Sequence, residues 1–67
     1  MITLQINGES FVLVESATVE DMVAELDLAA PTLLVEHNGK ALHRSEWKAQ
    51  SIAPGDAIEI LRVAAGG

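Results

Sequence analysis

Two Asn-Gly dipeptides, Asn7-Gly8 and Asn38-Gly39, constrain the fold of this chain more than any other feature. A type I′ turn needs positive φ at both central residues, and Asn-Gly between alternating apolar residues meets that need, so each dipeptide marks a tight hairpin. Before the first, Ile2, Leu4 and Ile6 point one way while Thr3 and Gln5 point the other. A two-residue loop then pairs Ile6 with Glu9, Leu4 with Phe11 and Ile2 with Leu13, so that Leu4, Phe11, Ile2 and Leu13 share one buried face. Val12 and Val14 fall on the opposite face. The second dipeptide joins Leu33-Leu34-Val35-Glu36-His37 to the returning Lys40-Ala41-Leu42.

A helix separates the hairpins. Thr18 suits the N-cap, and Glu20 and Asp21 lie in the first turn, where the helix dipole favours negative charge. Val19, Met22, Val23 and Leu26 recur at helical spacing and form one apolar stripe. Glu20, Asp21, Glu25 and Asp27 are read as a solvated face, and Pro31 ends any continuation. After the second hairpin, His43 to Trp47 has room for a helical turn capped by Ser45. Ala53-Pro54-Gly55-Asp56 is a turn, and Ala57 to Val63 is the last strand.

The order is hairpin, helix, hairpin, short turn, strand. Five short strands and one helix of about ten residues suit a mixed sheet with the helix across one face, an α+β arrangement of the β-grasp, ubiquitin-like kind. A helical crossover after a hairpin places the returning strand parallel to one already present. The reading divides the chain into one domain, residues 1–63, and a flexible tail, residues 64–67. The helix covers one face of the sheet and nothing covers the other. If Ile58 and Ile60 pack under the helix, Leu61 and Val63 stand on the open face beside the tail, with Val12, Val14 and Leu34 as further members. An exposed apolar patch of this kind marks a docking surface. The competing reading has these residues sealing the ends of the core.

Sixty-seven residues without a cysteine exclude disulfides, thiolate-bound metal and a cysteine nucleophile. A net charge of −6, with only Lys40, Arg44, Lys48 and Arg62 basic, argues against nucleic acid as a partner. No apolar run approaches the ~18 residues of a membrane span, and the N-terminus lacks the features of a signal peptide, so cytoplasm is the expected location. The glycines form no phosphate-binding loop. His37 and His43 differ in facing and sit about 10 Å apart, too far to share a metal. Trp47 reads as a lid on the core, with a binding hot spot as the alternative.

The remaining chemistry lies in the tail, Ala64-Ala65-Gly66-Gly67. Paired glycines have no side chains, so a chain ending this way can pass through a narrow slot and deliver its terminal carboxylate. A frayed terminus is the plainer alternative. A free carboxylate is a poor electrophile, but attack on the α-phosphate of ATP, with loss of pyrophosphate, would make an acyl-adenylate open to sulfur or nitrogen nucleophiles. Nothing in this chain cradles a nucleotide or its magnesium. A partner enzyme must hold both, leaving this protein as the substrate and not a catalyst, with no resident cofactor.

The chain resembles the ThiS family, the sulfur carrier proteins of thiamine biosynthesis. The resemblance covers essentially the whole sequence: the Ile6-Asn7-Gly8 hairpin, the helix from Thr18-Val19, and Asn38-Gly39 leading to Arg44-Ser45-Glu46-Trp47. Gly55-Asp56, Ile58-Glu59-Ile60 and the terminal Gly66-Gly67 complete it. It implies that an E1-like adenylyltransferase activates Gly67, that a persulfide sulfur donor converts it to a thiocarboxylate, and that thiazole synthase takes the sulfur. Gly66, Ala65 and Ala64 would form the tail that delivers it. Carriers serving molybdopterin, cysteine, homocysteine or siderophore synthesis share the fold and tail, as do ubiquitin-like protein tags, and these remain the alternatives.

Overall fold

The computed structural model describes residues 1–63. The tail residues Ala64, Ala65, Gly66 and Gly67 lie outside the described residues. Strand β1 (Ile2–Ile6) and β2 (Glu9–Leu13) form the first hairpin, in the register expected from Asn7-Gly8: Ile6 opposite Glu9, Leu4 opposite Phe11, Ile2 opposite Leu13. Asn7 and Gly8 have φ of 52° and 80°, and Asn38 and Gly39 of 49° and 85°, so both dipeptides adopt the double positive-φ geometry. The second hairpin joins β3 (Leu33–His37) to β4 (Lys40–Leu42), and β5 (Ala57–Arg62) closes the sheet.

Helix α1 (Val19–Glu25) begins as its sequence suggests. The Thr18 hydroxyl accepts the Asp21 N–H at 3.1 Å while the Asp21 carboxylate accepts the Thr18 N–H at 3.2 Å, a reciprocal capping box. The end of the helix differs from expectation. It stops at the Leu26 cap, well before Pro31, because Asp27 adopts φ 55° and the chain turns in a Schellman motif. The Leu28 N–H reaches back to the Val23 carbonyl at 3.2 Å and the Asp27 N–H to Ala24 at 3.1 Å. Pro31 instead sits in a short 3-10 turn, Ala30–Thr32, that leads into β3. A second 3-10 turn, Arg44–Glu46, has His43 and not Ser45 at its cap position, and the Glu46 carboxylate accepts the His43 N–H at 2.8 Å.

The strand order is β2-β1-β5-β3-β4. The strand that follows the helix therefore does not join the first hairpin. It is β5 that inserts between, parallel to β1 (Gln5 with Ala57, Ile6 with Ile58) and antiparallel to β3. This placement pairs the inner edges of both hairpins at once, where each would otherwise present unpaired backbone groups. One core fills the space between sheet and helix, built around Leu4, Leu13, Val19, Met22, Val35 and Ile58. Trp47 belongs to that core at 2% exposure, and its neighbourhood is tied to the helix start. The Trp47 and Gln50 carbonyls accept the Glu20 and Val19 N–H groups at 3.1 and 2.9 Å.

The turn asparagines do more than turn. Where β1 ends, the Asn7 side chain continues its ladder: Oδ1 accepts the Ile60 N–H at 2.7 Å and Nδ2 donates to the Ile60 carbonyl at 3.1 Å. At the other end of β5 the Asn38 side chain accepts the Ala57 N–H at 2.8 Å and donates to the Asp56 carboxylate at 3.1 Å. Asn7→Gly keeps the turn geometry and removes only these bonds. It is expected to lower stability by about 1–3 kcal/mol and to speed hydrogen exchange at Ile60, read by denaturant melts and amide exchange. An unchanged midpoint would show that the amide contacts contribute nothing.

Candidate docking site around the C-terminal strand

Strand β5 carries the chain to the tail, and its alternation sorts its residues between two surfaces. Ile58 is fully buried and Ile60 partly so, under the helix side of the sheet. Glu59, Leu61 and Val63 stand on the open face. Leu61 lies directly opposite Leu34 of β3, and the two are 56% and 53% exposed, so they form one apolar spot at the end of the sheet where the tail departs. Among the described residues the last backbone bond is from the Val63 N–H to the Thr32 carbonyl, at 2.8 Å.

The next pair along the same face is Glu59 opposite Glu36. Like charges directly across a sheet are destabilising, and the pair gives the apolar spot an acidic border. Val12 and Val14 are also exposed, but the sheet does not bring them to Leu61. Val12 is level with Thr3, whereas Leu61, counted from the Ile6–Ile58 pairing, is level with a point beyond the end of β1. Six residue steps separate them, about 20 Å along the strands.

The acidic residues Glu20, Asp21, Glu25 and Asp27 are exposed, as expected of a solvated face, and two of them also carry structural bonds. Glu25 accepts the Val14 N–H at 2.7 Å, the Glu15 N–H at 3.2 Å and the Ser16 hydroxyl at 2.7 Å, which ties the β2–α1 connection to the helix. The Ser16 hydroxyl and these amides hold its carboxyl below the ordinary value. Asp21 is committed to the capping box. The depression lined by Val14, Glu15, Ser16, Asp21, Ala24 and Glu25 is therefore a set of occupied hydrogen-bond acceptors, not a poised acid–base pair.

The histidines are also placed. His37 lies opposite Lys40, and its Nε2 meets Asp56 Oδ2 at 2.8 Å, both side chains largely buried. Asp56 further accepts the Ala53 N–H at 2.8 Å. Burial pushes the Asp56 carboxyl upward, but the bonds from His37, Ala53 and Asn38 outweigh it, and the net shift is downward from 3.8. A lowered carboxyl stabilises the fold above the unfolded value of 3.8 and loses that contribution as pH falls through the folded one. The melting difference between the native chain and Asp56→Asn is thus expected to be largest near neutrality and to shrink below about pH 4. A pH-independent difference would contradict it.

Among the described residues no group of His, Asp and Glu is gathered to hold a metal, and no helix is long and apolar enough to cross a membrane. What the geometry offers is a small framed strand and, at its C-terminal end, an apolar spot with an acidic border.

Comparison with known proteins agrees with this layout. The model of the ThiS family matches residues 4–67. The crystal structure of the thiamine biosynthesis protein ThiS from Geobacter metallireducens superposes with a TM-score of 0.83 at 30% identity, covering 98% of this chain and 100% of that one. Its solution structure gives 0.77 at 29% identity, covering 98% and 88%. A designed protein based on human erythrocytic ubiquitin gives 0.55 at 26% identity, over 98% and 94%, so the fold is the ubiquitin-like β-grasp. The uncharacterized protein ycf40 of Trieres chinensis is 26% identical over 65 residues, 97% of this chain and 89% of that protein. The chain belongs to the ThiS family.

Proposed function

We propose that this protein is a sulfur carrier whose Gly67 carboxylate is adenylated by an E1-like partner and becomes a thiocarboxylate, with thiazole formation in thiamine biosynthesis as the destination of the sulfur. The observation that carries the reading is the family match, which runs from residue 4 through Gly67 and so includes the tail. In the first step a Gly67 oxygen bonds to the α-phosphorus of ATP and pyrophosphate leaves. The terminal sulfur of a donor persulfide then attacks the acyl carbon and AMP leaves, giving an acyl disulfide. A thiol cleaves its S–S bond, keeping the donor as a disulfide and leaving sulfur on Gly67. ATP and magnesium belong to the partner throughout, and thiazole synthase is the proposed acceptor.

The protein's own part is to be recognised and to present its end. Leu34, Leu61 and Val63 supply an apolar contact next to the tail, and Glu36 and Glu59 favour a basic rim on the partner. Val12 and Val14 would join only in a contact that spans the sheet. The test is intact mass after incubation with an extract of the source cells, magnesium-ATP and sulfide. A gain equal to replacing one oxygen by sulfur, mapped to Gly67, is expected. No gain, in an extract that charges a known carrier, overturns the reading, and conjugates of higher mass would favour a protein tag.

A further inference from the structure

At the C-terminal end of β5, on the side away from the Leu34–Leu61 spot, lies a groove of 360 Å³. It is lined by Ile6, Asn7 and Phe11 of the first hairpin, Leu26 and Leu28 at the end of α1, and Ile60 and Arg62 of β5. Phe11 shares the core face with Leu4 yet is 37% exposed, at the rim of this groove.

The groove runs along an open backbone edge. In β5 the even-numbered residues turn their N–H and C=O groups toward β1: the Ile58 carbonyl accepts the Asn7 N–H at 2.8 Å, and Ile60 is satisfied by the Asn7 side chain. Arg62 is next in that series, and β1 has already ended. Among the described residues its N–H and C=O find no partner on that side, and no carboxylate pairs with its guanidinium. Unpaired strand edges accept added strands. The charge is also singular: Lys40 lies at the turn of the second hairpin, Arg44 and Lys48 flank the Trp47 turn that meets the start of α1, and Arg62 is the one cation lining the groove.

We propose that this edge and groove receive an extended segment of the adenylating partner, which pairs with the Arg62 backbone, sets a carboxylate against its guanidinium and places an apolar side chain between Phe11 and Leu28. The partner then holds β5 on two sides, the open face and the groove, immediately before the tail. A strand gripped on both sides fixes the direction in which the carboxylate leaves the domain. The proposal rests on the carrier reading above.

The test is ATP–pyrophosphate exchange by the adenylyltransferase of the same source, with this protein as the varied substrate. Arg62→Glu and Phe11→Ala are each expected to raise KM about tenfold or more with kcat little changed. Arg62→Lys should retain most of the affinity. Lys48→Glu makes the same change in net charge far from the groove and should leave KM unchanged. In the complex, the Arg62 amide should become protected from hydrogen exchange. Equal KM values for the wild type, Arg62→Glu and Phe11→Ala, or an unprotected Arg62 amide, overturn the groove while leaving the carrier reading intact. Absence of exchange with the wild-type protein overturns the carrier reading, and this partner with it.

Discussion

A chain lacking Gly67 is expected to keep its fold and to lose adenylation. Among the described residues the last strand ends at Arg62 and the last backbone hydrogen bond to the sheet is made by Val63, and the core cluster is assembled from residues 4–58. Removing Gly67 leaves a carboxylate on Gly66, displaced by one residue, roughly 3.3–3.6 Å. Misplacement of a reacting atom by ~1 Å can lower a rate about 10²-fold. ATP–pyrophosphate exchange should therefore fall by at least that factor, while thermal melting and the amide spectrum stay as they were. A folded truncation that still exchanges at the native rate would remove Gly67 from the chemistry. Addition of one alanine after Gly67 makes the converse displacement and should be equally inactive.

Trp47→Ala is expected to unfold the protein at room temperature. Trp47 is 2% exposed, and truncating a buried aromatic to alanine costs about 3–5 kcal/mol. A single core in a chain this short supplies about the same amount in total. The guanidinium of Arg44 lies 5.9 Å from the ring centroid and adds a small cation–π contribution that would also be lost. Trp47→Phe separates size from polarity. Among the described residues the indole Nε1 has no hydrogen-bond partner, so phenylalanine sheds a buried, unsatisfied donor while keeping most of the apolar volume. Far-UV circular dichroism and urea titration should find Trp47→Phe folded and Trp47→Ala largely unfolded. A cooperative transition for Trp47→Ala near the native midpoint would mean that the ring is an ornament of the core and not a support.

The candidate site is partly legible in the amino-acid sequence. Alternation in β5 puts Leu61 and Val63 on the side away from Ile58, and both are exposed there. Alternation also picks out Leu34, Val12 and Val14, but it does not say which of them sits near the tail. That depends on which strands are neighbours and where each ends, and only Leu34 is opposite Leu61. No sequence pattern marks Arg62 and the groove, because the lining comes from three separate segments. The acidic helix residues are exposed, as expected, but their bonds are not legible. Composition cannot distinguish a carboxylate facing water from one collecting backbone N–H groups, as Glu25 and Asp21 do.

By itself the sequence determined the local structure: both Asn-Gly hairpins and the β1–β2 register, the Thr18 start of the helix, and the apolar faces of the strands. Each is set by φ preferences, short-range hydrogen bonding and side-chain period within a few residues, and these act before distant segments meet. The tertiary structure alone decided the insertion of β5 between β1 and β3 and the use of Asn7 and Asn38 to clamp β5. The insertion and both clamps join parts of the chain far apart in sequence. Their free energy comes from pairing strand edges and satisfying backbone groups that exist as neighbours only once the sheet has assembled.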